Sequence, residues 1–232
     1  MKTFLQFIKE MAAVRDKDRE KVYYHGTGEK EAQEIIKSGV LKGRDKQERY
    51  ALAPMKGHVY ITPHIHYAQI YGIGGDMAGD ASAEKYAKGE HAYVFEIKGE
   101  HLKDIHPDED SVGEKYGKEI KTRWNQQKKQ FEPDPAGKHP WLKDIGNSVA
   151  TPRQKMNAGI GFMDDQAAVG KKLNKKMADH QKHELIDAGA HIAHNGPLPV
   201  SRAWRVHKSK FSLLKRDGSN FFEHAEEVPL PK

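Results

Sequence analysis

Val22-Tyr23-Tyr24-His25-Gly26-Thr27 and Gly57-His58-Val59-Tyr60-Ile61-Thr62-Pro63-His64-Ile65-His66-Tyr67-Ala68-Gln69-Ile70-Tyr71 are the two stretches on which the reading of this chain turns. β-Branched and aromatic residues fill Val22–His25, which predicts a strand. At its end His25 stands beside Gly26, whose bare backbone a ligand can approach closely. The second stretch predicts another strand over 58–62 and then a helix opened by Pro63, since proline is tolerated in a first helical turn. Tyr60 falls in that strand, and Tyr71, eleven residues on, falls in the helix.

Working outward, Glu29–Ser38 puts Ala32, Ile35 and Ile36 on one helical face, with Gly39 as its stop. Residues 42–56 are polar and read as a loop. The glycine-rich run 72–79 lacks the spacing and the leading strand of a dinucleotide cradle. Ala92–Ile97 alternates as a half-buried strand that His101–Ile105 continues, and residues 107–114 (PDEDSVGE) read as an acidic turn. The middle, 115–182, reads as mostly helical, broken at Pro133, Pro135, Pro140 and Pro152, with a Lys/Gln-rich helix over 115–130. A short helix is expected over 184–191, a turn over 196–198, a late strand over 200–206 continued by 211–214, and a loose tail from Glu227. Trp124, Trp141 and Trp204 read as core or interface anchors.

Composition narrows the classes. The chain has 232 residues, enough for one sizeable domain. It has no cysteine, which excludes disulfides and thiolate metal sites. No stretch nears the roughly 18–20 apolar residues of a membrane span. A formal charge of +6 and a pI near 9.2 suit an anionic partner, or simply a lysine-rich solvated surface. His64 and His66 have no third ligand at recognisable spacing, so no metal site is expected.

Residues 1–12 place Phe4, Leu5, Phe7, Ile8 and Met11 at helical spacing. This segment resembles the N-terminal targeting peptide of internal head proteins of T-even-like bacteriophages. That resemblance implies cutting by a phage head protease after Ile8-Lys9-Glu10, with residues 1–10 removed and a mature chain beginning at Met11. It implies a location in the virion interior and then in the host bacterial cytoplasm.

The Tyr24-His25-Gly26-Thr27 and Tyr60…Tyr71 segments together resemble the His-Tyr branch of the ADP-ribosyltransferase superfamily, the poly-ADP-ribose-polymerase and diphtheria-toxin-like enzymes. The resemblance is clearest over residues 22–105. It implies a mixed α/β (α+β) fold with a split, twisted β-sheet core, flanking helices and a helical insertion over 115–182, within one domain spanning 20–226. It also implies NAD as substrate, a monomer, no membrane association, and a host protein or nucleic acid as acceptor. In that pattern His25 holds the adenosine-side ribose and Gly26 clamps the nicotinamide amide through its backbone. Tyr60 is the strand tyrosine of the second motif, and Tyr71 stacks on nicotinamide. Ala68 takes a place where relatives often have serine, so one hydrogen bond to the amide is missing. Thr27 and Thr62 complete the NAD-contacting set.

Family transferases carry a glutamate at the start of a late strand. In Leu198–Trp204, Ser201 or Arg202 stands there instead. The acidic run offers a substitute, and Glu109 and Glu114 are the expected catalytic carboxylates alongside His25, because clustered acids raise one another's pKa. Mono-ADP-ribosyl transfer is the leading expectation. RNA 2′-phosphotransfer, and a degenerate scaffold that binds DNA or a host factor, are the alternatives.

Overall fold

The computed structural model describes residues 14–43, 57–73, 89–117, 122–125, 127, 130–133, 151, 163–215 and 217–231. Along the chain these form α1 (Asp16–Arg19), β1 (Val22–Gly28), α2 (Glu29–Ser38), β2 (Val40–Leu41), β3 (His58–Ile61), α3 (Ile65–Ile73), β4 (His91–Lys98) and β5 (Ile105–Pro107). There follow α4 (Glu109–Gly117), β6 (Thr122–Asn125), β7 (Gln130–Pro133), α5 (Met163–Asn174), α6 (Asp179–Asp187), β8 (Ile192–Asn195), β9 (Leu198–Pro199), β10 (Arg202–His207), α7 (Phe221–His224) and β11 (Glu226–Val228). The fold is α+β with antiparallel pairing throughout its registered ladders. The 1–10 peptide, the glycine-rich run beyond Ile73 and Trp141 lie outside the described residues. Among the described residues no helix is long and apolar enough to cross a membrane.

The chain divides into two compact units. The first comprises residues 13–44, 57–105 and 191–232. Its main sheet runs β1-β4-β10-β11, and β3 pairs with β8 in a second. Tyr24, Val94 and Trp204 lie on one face of the main sheet, since side chains alternate along a strand and the register sets Gly26 opposite Val94 and Val94 opposite Trp204. There Ala68, Val94, Trp204, Val206 and Phe221 form a buried cluster, with Tyr24 and Ile65 packed at its border. The second unit takes in residues 106–190, a wider span than the expected 115–182 insertion. Its core joins Val112 and Tyr116 of α4 to Val169 and Leu173 of α5 and Leu185 of α6.

Several elements differ from expectation. Of residues 107–114, Pro107 ends β5 and Glu109–Glu114 open a helix, not a turn. Val112 N donates to Asp108 O at 3.0 Å, Glu109 and Asp110 sit in the first turn where the helix dipole favours anions, and Val112 and Tyr116 give a buried i, i+4 stripe. The strand at 92–97 does not continue through 101–105. It ends at Lys98, where Gly99 lets the chain pass so close to Asp18 and Lys21 that a side chain would strike their carbonyls. Within 115–130, the helix stops at Gly117 and residues 122–125 pair with 130–133 as a hairpin. The expected 184–191 helix is Asp179–Asp187, closed by Gly189 at φ +90°. The turn expected over 196–198 joins β8 to β9, and the strand expected over 200–206 is β10. Residues 211–214 fall largely in a 3-10 turn over Lys208–Leu213, and Glu227 and Val228 of the expected loose tail belong to β11. Arg202–Glu227 and Arg205–Glu226 ion pairs at 3.0 and 2.9 Å tie β11 to β10.

Candidate functional site

β1 has two different edges. One pairs with β4 along its whole length, from Val22 opposite Lys98 to Gly28 opposite Ala92. The other holds a single reciprocal pair, Tyr24 N to Thr62 O at 2.8 Å and Thr62 N to Tyr24 O at 2.9 Å. Main-chain polar groups point the same way every second residue, so the N–H and C=O of Gly26 face this second edge as well. Continued antiparallel pairing would set Gly26 against Tyr60. Instead the ring Nδ1 of His25 lies 2.8 Å from Tyr60 O. Because a carbonyl only accepts, Nδ1 carries the proton in this contact, and in the neutral form of the ring Nε2 is then the acceptor. His25 thereby takes the ladder bond that Gly26 would have made, and the sheet splits at this point.

Helix α3 lies directly on the split. A Cβ on Gly26 would fall on the Ala68 carbonyl, 2.6 Å from Ala68 C and 2.8 Å from Gly72 N. A Cβ on Gly72 would stand 3.0 Å from Tyr93 O and 3.5 Å from Thr27 O. Two glycines thus let a helix backbone rest on a strand backbone, closer than any side chain allows. Thr62 Oγ1 accepts from His64 N at 3.2 Å in the turn that leads into the helix, which begins at Ile65 and not at Pro63. Ala68 is fully buried, and Thr27 and Thr62 are buried at 8% and 2% exposure.

Tyr71, one residue from Gly72, is 52% exposed. Its ring meets that of His191 at 5.6 Å and 79°, and Tyr67, one turn earlier on α3, meets His191 at 4.7 Å and 69°. His66 lies 4.0 Å from Tyr67, and His64 lies 5.5 Å from His66. Burial, with His64 and His66 adding to it, pulls His191 down to about 4, so its ring is uncharged at neutral pH. His66 is also lowered, by burial first and then by His64, against the pull of Asp217. On the buried flank of α3, Gln69 Oε1 has no hydrogen-bond partner among the described residues.

His25, Gly26, Thr27, Tyr60, Thr62, Ala68 and Tyr71 therefore all belong to the first unit, on β1, β3 and α3 or directly beside them. Glu109 and Glu114 belong to the second. Glu109 is 3% exposed, and its backbone carbonyl packs against Gly170 of α5, whereas Glu114 is exposed. Burial, then the charges of Asp110 and Glu109, push the Asp108 carboxyl well above the carboxylate range.

The strand that adjoins Tyr60 is β8, with Tyr60 opposite Ala193. It is not β10, so Ser201 and Arg202 do not stand at the head of the strand beside the tyrosine. Ser201 Oγ donates to Glu96 Oε1 at 2.9 Å, and Arg202 makes a two-pronged contact with Glu227, both bonds 3.0 Å, while lying over Trp204. The residue at the head of β8 is His191. Sequence patterning missed it because Ile192–Asn195 is only four residues long and follows a helix closely. The one available signal was the Ala-Gly-Ala break before it. Comparison of the chain with protein-family models, with curated proteins and with solved structures returns no match, so the assignment of this site rests on its own geometry and chemistry.

Proposed function

We propose that this chain is an NAD-dependent mono-ADP-ribosyltransferase on an ADP-ribosyltransferase-like split sheet. The observation that supports it is the parting of β1 and β3 after Tyr24–Thr62, which turns the Gly26 N–H and C=O into the gap while α3 lies across Gly26. One extended residue presenting a donor and an acceptor is the complement of a carboxamide, which offers an acceptor oxygen and a donor nitrogen. Nicotinamide bound to Gly26 would have Tyr71, beside Gly72, as its stacking partner. His25, with Nδ1–H committed to Tyr60 O, would accept from a ribose hydroxyl at Nε2. Thr27, Tyr60, Thr62 and Ala68 shape the walls.

In the reaction the bond between nicotinamide N1 and ribose C1′ breaks, and its electron pair leaves with neutral nicotinamide. A nucleophile on the host protein or nucleic acid forms the new bond at C1′ and gives up its proton. A carboxylate would stabilise the positive charge that builds at C1′. Of the two proposed acids, Glu114 is exposed and Glu109 is buried. The targeting-type peptide supports packaging in a phage head before release into the host.

Nicotinamide release from NAD tests this reading. We expect Tyr71→Ala and His25→Ala each to lower it at least ~10-fold, and unchanged turnover in both proteins would refute the pocket. An imidazole at the head of β8, where a carboxylate would serve transfer, favours one second reading: a degenerate scaffold that binds DNA or a host factor without transfer. Calorimetry showing no NAD binding, together with salt-sensitive DNA binding, would select it.

A further inference from the structure

His191 is placed with unusual specificity for a residue between a helix and a short strand. It precedes β8, the strand that pairs with the Tyr60 strand, and its ring contacts both tyrosines that α3 presents one turn apart. Both contacts are near perpendicular, at 69° and 79°, so His191 does not lie flat on either phenol. Perpendicular aromatic pairs have a defined energy minimum, which restrains the ring they touch. Tyr71 needs such restraint, being 52% exposed at its position on the helix.

We propose that His191 is a positioning residue of the nicotinamide slot: an imidazole at the head of β8 that sets the plane of the Tyr71 ring against which the ligand stacks. The inference rests on the NAD reading for its ligand, while the ring contact itself can be tested without NAD. Three features support it. The ring is anchored by the chain entering β8, whose Ile192 and Ala193 are fully buried. Tyr67, at i−4 from Tyr71 on α3, buttresses the imidazole from the same helix. The ring is uncharged at neutral pH, so the contact adds no charge to a slot that must receive the cationic pyridinium of NAD.

A residue that fixes Tyr71 acts on bound substrate and transition state alike, so its loss raises KM more than it lowers kcat. His191→Leu keeps the bulk and removes the aromatic edge, and His191→Phe keeps the edge. With NAD as substrate we expect KM to rise ~3- to 10-fold in His191→Leu with kcat within about 2-fold, and His191→Phe to recover most of the loss. In parallel, NMR of protein carrying labelled tyrosine rings should show Tyr71 signals moving in His191→Leu and staying near wild type in His191→Phe. A KM unchanged in His191→Leu, or a fall confined to kcat, overturns the proposal. Should wild-type protein neither bind nor turn over NAD, the NAD reading fails on its own. The NMR then decides, with unmoved Tyr71 signals overturning the positioning role. If His191→Leu does not fold, wild-type protein without a cross-peak between the Tyr71 and His191 rings overturns it as well.

Discussion

Gly26→Ala puts the packing on which the site depends under direct strain. The added Cβ would sit 2.6 Å from Ala68 C and 2.8 Å from Gly72 N, against an ordinary carbon contact of about 3.5–4.0 Å. All of the colliding atoms are backbone, so no rotamer change can relieve them. Helix α3 must lift by well over about 1 Å to clear the Ala68 carbonyl oxygen, loosening Ala68 from Val94 and Trp204 in the cluster beneath. Overpacking of this kind costs ~1–3 kcal/mol, and the absence of a flexible partner places this substitution at ~3 kcal/mol or above. Gly28→Ala is the matched control, because there the nearest atom to a new Cβ is Glu31 Oε2 at 3.9 Å, and its expected change is within ~0.5 kcal/mol. Urea unfolding of both variants, followed by far-ultraviolet circular dichroism, measures the difference. Equal stability in the two, within ~0.5 kcal/mol, would show that α3 is not seated on Gly26, and the slot geometry would fall with it.

Two other outcomes are expected. The unfolded chain protonates His191 from about pH 6.5 downward and the folded chain only at about 4, so its neutral ring has no effect on stability above that range. Stability then falls as pH drops from 6.5 to about 4, by up to ~3 kcal/mol. Urea midpoints in His191→Phe should decline less steeply over that window, and parallel curves would remove the buried-imidazole argument. N-terminal sequencing of the chain recovered from phage particles should begin at Met11, and an intact Met1 there would dismiss processing after Glu10.

The sequence by itself determined the local elements whose signals are local. Glu29–Ser38 is helical over the range its periodicity and Gly39 dictate, because an amphipathic face and a left-handed stop at φ +67° are properties of neighbouring residues. The strands at 22–28, 58–61 and 91–98 were likewise legible from their β-branched and aromatic content. The candidate set from His25 to Tyr71 was named from residue types in two separate stretches, and the fold sets these on β1, β3 and α3 or directly beside them. Only the tertiary structure decided which strand adjoins the Tyr60 strand, because pairing partners lie more than a hundred residues apart and β10 carries the stronger pattern. It moved attention from Ser201 and Arg202 to His191, and bound Ser201 to Glu96 across β4. It made a helix of an acidic run whose apolar stripe, Val112 and Tyr116, has meaning only against α5. It also showed why Gly26 and Gly72 are glycines: two backbones meet there, and the space each requires is set by the other chain segment, not by its own neighbours.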